Sequence, residues 1–139
     1  MKVDFEWYDK YSTGVDEIDF QHKKFLRIMQ KTYKLKEMNT EEDELFILLD
    51  ELVKYATFHF ACEETFMKTY AYPKISIQTQ EHNKIKSDLK KRVEKIKNRE
   101  EDIVDLMFFL MTWFINHTNG SDKDIGEYVK VHNETIYGI

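Results

Sequence analysis

Within the stretch TFHFACEETFMK, His59 and Glu63 stand four residues apart in an otherwise apolar helical stripe. That spacing puts both side chains on one helix face, one turn apart. Leu45, Leu52 and Ala56 precede them on this face, and Phe66 and Tyr70 follow. An imidazole and a carboxylate buried among such neighbours are costly unless something pairs with them. A metal cation pairs with both at once, provided that the rest of the chain brings further ligands.

Four helical segments carry the remaining pattern. The first is expected from about Asp16 to Lys36, with the stripe Ile18, His22, Phe25, Met29, Tyr33. The second is expected from about Glu41 to Tyr70, with Asn39-Thr40 as its N-cap region and Pro73 closing it. The third is expected from Ile75 to Lys97, with the stripe Ile75, Gln78, His82, Ile85, Leu89, Ile96. The fourth starts near Glu101 and carries Ile103, Leu106, Leu110, Trp113 and His117 before TNGSD interrupts it and a polar tail follows. Four amphipathic helices with short links predict an all-α, up-down-up-down four-helix bundle. Residues 1–139 are read as one domain. Phe5, Trp7 and Tyr8 near the N-terminus need a surface to pack on, so that segment is expected to be an ordered arm.

Composition narrows the function classes. A net charge of −5 with dispersed basic residues does not suit nucleic acid. The longest apolar run, DLMFFLMTWFI, is too short to span a membrane. The N-terminus MKVDFEWYDK is polar and acidic, so no secretory leader and a cytoplasmic location are expected. Cys62 is the lone cysteine, which excludes an internal disulfide, and it is expected to be a buried structural thiol. Met29, Met67, Met107 and Met111 are read as core filling.

Each stripe is interrupted by polar residues at core positions: His22 in the first helix, His59 and Glu63 in the second, Gln78 and His82 in the third, His117 and Asp122 in the fourth. Imidazoles and carboxylates together suit iron, zinc or manganese. Two carboxylates suit a pair of metals, and a single zinc would not need six ligands. The spacing from His117 to Asp122 is awkward. Five residues turn roughly 500° on an ideal helix, about 140° away from the starting face. A bulge or helix end at Asn119-Gly120 would aim Asp122 back inward; the alternative is a loop with Asp122 capping the segment after it. Two carboxylates meeting at one centre are also expected to raise one carboxyl pKa in metal-free protein.

Trp7 followed by TGVDEIDFQH, then HFACEETFM with its HxxxE spacing, then WFINHTNGSD with its HxxxxD spacing resemble the motifs of bacterial hemerythrins in the hemerythrin family, over nearly the whole chain. The resemblance implies a four-helix bundle holding two iron ions (Fe2+/Fe3+) with an oxo or hydroxo bridge, and dioxygen as partner and ligand. It implies that His22 and His59 hold the iron that takes oxygen, that His82 and His117 hold the other, and that Glu63 and Asp122 bridge them. It places Phe60, Trp113 and Phe114 around the oxygen pocket. The implied role is oxygen carriage, storage or delivery, with no catalytic residues and no net chemistry on a substrate. The family has HxxxH in its third helix, whereas this chain reads QTQEH, so Gln78 stands where a histidine belongs. An amide oxygen or water is a weaker donor than imidazole. That departure keeps open a redox enzyme, an oxygen or nitric oxide sensor, and a bundle with one metal or two different metals. His132 lies in the polar tail and is not expected to substitute. The oligomeric state is open, with a monomer as the starting expectation.

Overall fold

Asp19 ties the start of the molecule together. It lies one turn into the first helix, and its carboxylate accepts hydrogen bonds from Thr13 N (2.8 Å), Thr13 Oγ1 (2.8 Å) and Ser12 Oγ (2.7 Å). These bonds dock the N-terminal arm where the helix has no side-chain cap of its own. The computed structural model describes residues 3–38 and 42–136. Within them the helices are α1 (Asp16–Glu37), α2 (Glu42–Thr69), α3 (Ile75–Lys97), α4 (Ile103–His117) and α5 (Lys123–Ile136). A π-helical segment, Thr118–Asp122, joins α4 to α5. A short 3₁₀ turn, Asp9–Tyr11, lies in the arm. No strand occurs among the described residues. The proposed Asn39-Thr40 cap falls outside them.

The architecture is the expected up-down-up-down four-helix bundle with an ordered arm. The tail differs from the expectation. It is helical, because Ile125 and Val129 recur four apart and are buried against Ile18, Met67 and Tyr72. The backbone stays helical through Thr118 (φ −65°, ψ −47°) and Lys123 (φ −63°, ψ −36°), so α4, the π segment and α5 run on without a break. Gly126 marks a close approach to the arm: a Cβ there would sit 1.8 Å from the Thr13 carbonyl oxygen. In the arm, Phe5 and Tyr11 are buried, whereas Tyr8 stays exposed. Cys62 is only half-buried, on the outer side of α2, rather than in the core.

Two apolar cores fill the bundle. The larger contains Phe25, Met29, Leu49, Leu52, Leu106 and Leu110. The smaller contains Ile18, Met67, Tyr72, Ile125 and Val129. On α1, α2 and α3, and across the junction of α4 with α5, a polar core residue falls between the larger cluster and the smaller one or a residue packed on it: Ile18–His22–Phe25, Phe60–Glu63–Met67, Ile75–Gln78–Ile85 and Phe114–His117–Ile125. A single polar layer therefore crosses the bundle between two apolar ones.

Candidate metal centre

All seven polar residues singled out from the stripes lie in that layer, and all are buried: His22, His59, Glu63, Gln78, His82, His117 and Asp122. The π segment explains how Asp122 joins them. Its hydrogen bonds run from residue i to i+5, so residues five apart come onto one face. His117 Nε2 lies 3.3 Å from Asp122 Oδ1.

The two carboxylates each reach two histidines. Glu63 Oε1 lies 3.0 Å from His59 Nε2 and 3.4 Å from His82 Nε2. Asp122 Oδ2 lies 3.1 Å from His22 Nε2, and its Oδ1 faces His117. Ligand atoms of His22, His59 and Glu63 lie within 4.8 Å of one another, and so do those of Glu63, His82 and His117. Either trio is spaced as a cation site would be, and Glu63 belongs to both. Gln78 Nε2 is 3.5 Å from Asp122 Oδ1, and its buried Oε1 has no hydrogen-bond partner among the described residues.

Other buried atoms are equally unsatisfied. Both oxygens of Glu63, Asp122 Oδ2, His82 Nε2 and His117 Nε2 lack a hydrogen-bond partner among the described residues. Such atoms are rare in a folded interior, because each forfeits its hydration without replacement. Charge pairing offsets part of that cost. Burial pushes the Asp122 carboxyl up, but His117 and His22 together bring it well below the ordinary aspartate value. Burial and Asp122 push Glu63 up, yet His59 and His82 outweigh them and lower it. Asp122 thus raises Glu63 as expected, but the imidazoles beside each carboxylate leave both lowered overall, so the expected net upward shift of one carboxyl is not found. Burial lowers His22 and His117, and the carboxylates, Asp122 foremost, raise both overall. Both shifts favour a proton on His22 and on His117 beside the carboxylates.

Three residues not foreseen from the sequence stand behind the histidines. His59 Nδ1 is 2.7 Å from Gln21 Oε1, His82 Nδ1 is 3.1 Å from Glu64 Oε2, and His117 Nδ1 is 3.0 Å from Glu81 Oε2. With those oxygens accepting, Nδ1 carries the proton and Nε2 presents its lone pair to the centre. The contacts pass from helix to helix: α1 braces α2, α2 braces α3, and α3 braces α4. The circle stays open, because His22 Nδ1 is buried without a partner among the described residues. A signal was available. Gln21, Glu64 and Glu81 each adjoin a candidate ligand in sequence. A neighbour on a helix points roughly 100° away, toward the next helix of the bundle.

Aromatic rings wall the layer. Phe114 lies edge-on to His22 at 5.4 Å and beside Tyr11 and Phe25. Phe60 touches His59 at 5.5 Å and stacks on His82 at 4.3 Å. Trp113 stacks on His117 at 4.6 Å, so it borders the half opposite His22 and His59. His132 is remote from the layer: exposed on α5, it bonds to Tyr128 O and stacks on the Tyr128 ring.

Residues 13–129 match the Hemerythrin HHE cation binding domain family. The chain belongs to the hemerythrin family. The bacteriohemerythrin of Clostridium acetobutylicum is 30% identical over 129 residues, covering 86% of this chain and 97% of that protein. The myohemerythrin of Riftia pachyptila is 29% identical over 119 residues, covering 85% and 88%. The crystal structure of a hemerythrin mutant superposes with a TM-score of 0.78 at 27% identity, covering 88% of this chain and 95% of that one. As a hemerythrin-family bundle, the chain has no described helix long and apolar enough to cross a membrane.

Proposed function

We propose that this chain is a non-haem di-iron protein that binds dioxygen reversibly, as a carrier, store or delivery protein. The observation that carries the reading is Glu63. It is buried, both of its oxygens lack a hydrogen-bond partner among the described residues, and it belongs to both metal-binding trios. A carboxylate so placed fits a pair of cations and is a poor fit to none. In this reading His22 and His59 hold one iron, His82 and His117 hold the other, Glu63 and Asp122 join the two, and Gln78 faces the second. When bound there, an iron pair would supply redox electrons and a coordination position for dioxygen. The chain's own residues supply the rest. Gln21, Glu64 and Glu81 orient the imidazoles of His59, His82 and His117. Phe114, Phe25 and Tyr11 exclude water beside His22, and Phe60 does so between His59 and His82.

Gln78 favours a second reading, an iron redox enzyme or a sensor of oxygen or nitric oxide. Its half of the centre has two imidazoles and an amide, and the amide oxygen is unpartnered among the described residues. Metal quantification paired with absorption spectra before and after oxygen exposure separates the two. Two irons per chain and an oxygenated spectrum that reverses under vacuum support the carrier. Rapid autoxidation or peroxide turnover supports the enzyme or sensor. Glu63→Ala is expected to leave one iron or fewer per chain and to lower the melting temperature. A Glu63→Ala protein that keeps two irons and melts unchanged would remove the bridging role.

A further inference from the structure

The braces behind the histidines are unequal in charge. On the half of the centre made by His82, His117 and Gln78, both imidazoles are braced by carboxylates, Glu64 and Glu81. On the half made by His22 and His59, the one brace among the described residues is the neutral amide of Gln21. The half in which Gln78 stands where the family pattern has an imidazole is the half with anionic support. A carboxylate accepting from Nδ1–H raises the electron density at Nε2 more than an amide oxygen does, and so strengthens the bond that Nε2 makes to a cation.

We propose that Glu64 and Glu81 act through His82 and His117 to make up for the imidazole missing at position 78. They are positioning residues, and they hold the metal on the Gln78 side. This rests on the paired-metal reading above. Glu81 is well placed for the role. Its Oε2 also accepts from Ser121 Oγ at 3.0 Å, which pins it between α3 and the π segment. It lines a cleft of about 460 Å³ together with Lys84, Asp88, Asn116 and Trp113. Asp88 shares the cleft, and among the described residues no ion pair or hydrogen bond links it to a histidine, so it serves as a control at the same surface.

The test is titration of metal-free protein with Co2+, read by its visible absorption bands and by metal content after gel filtration. Wild-type protein is expected to take up two Co2+ per chain in two steps. Glu64→Gln and Glu81→Gln should each weaken one and the same step by about 10–100-fold and leave the other within about threefold. Glu64→Gln with Glu81→Gln together should leave one Co2+ per chain. Asp88→Asn should move neither step. Gln21→Glu should strengthen the other step. A merely structural role predicts a different result, in which the glutamine variants lower the melting temperature of the metal-free protein and weaken both steps alike; that outcome overturns the proposal. So do two unchanged steps. Wild-type protein that takes up only one Co2+ overturns instead the paired-metal reading on which this rests.

Discussion

The larger apolar core and the polar layer are equally closed to solvent, for opposite reasons. Met29, Leu49, Leu52, Leu106 and Leu110 are wholly buried, and burial is itself their contribution to stability. His82, Glu63 and Asp122 are as deeply buried on the same rods, and there burial is a cost that partners must offset. The core asks nothing of a ligand. The layer leaves Glu63, Gln78 and Asp122 with oxygens that have no hydrogen-bond partner among the described residues. The contrast shows how a bundle carries a reactive centre: apolar packing above and below sets the helix positions, so that the layer between can be arranged for binding instead of for stability.

Metal removal should break this comparison most widely. A ligand that binds only the folded state adds about 4 kcal/mol at a thousandfold excess over its Kd. Chemical denaturation of the iron-loaded and metal-free proteins should differ by roughly that amount, all of it from the layer. Equal midpoints would mean that the layer is content without cations.

Next in size is a cavity in the larger core. Leu106→Ala should cost roughly 2–5 kcal/mol. Because Leu106 lies away from the ligands, the loss should be the same with and without metal, within about 0.5 kcal/mol. A loss that doubles in metal-free protein would show that the core and the layer are one cooperative unit.

A smaller effect tests the far side of the layer. Gly126→Ala places a methyl 1.8 Å from the Thr13 carbonyl, so the arm or α5 must shift. Overpacking of this kind costs about 1–3 kcal/mol. The arm should become a faster target for limited proteolysis, while metal content stays the same. Metal loss in this variant would tie the arm to the centre and blur the division into layers.

Much of this arrangement was legible in the chain. The periodic stripes of α1 and α3 are enough to place Ile18, His22, Phe25 and Met29, or Gln78, His82 and Ile85, on buried faces, because a helix converts spacing into direction with no help from its neighbours. The tail was harder. Its two buried apolar residues, Ile125 and Val129, are diluted by charged ones, and a stripe two residues long is too weak a signal until Met67 and Tyr72 are seen to cover it. Tyr8 misled in the other direction, since an aromatic ring in an arm can lie on the surface as readily as in the core.

What the sequence by itself determined is the set of inward-facing residues, including the seven of the polar layer, because that depends on local periodicity alone. It also signalled that something irregular must happen between His117 and Asp122, since an ideal helix turns them apart. What only the tertiary structure decided is the form of that irregularity, a π segment that keeps α4 and α5 continuous, and the pairing of His59, His82 and His117 each with the helix before it. Gln21 and His59 are 38 residues apart, and Glu64 and His82 are 18 apart. No local rule relates such distant positions. Their contact follows from the rotation and height of whole helices, and those are set by the packing of the two apolar cores on either side.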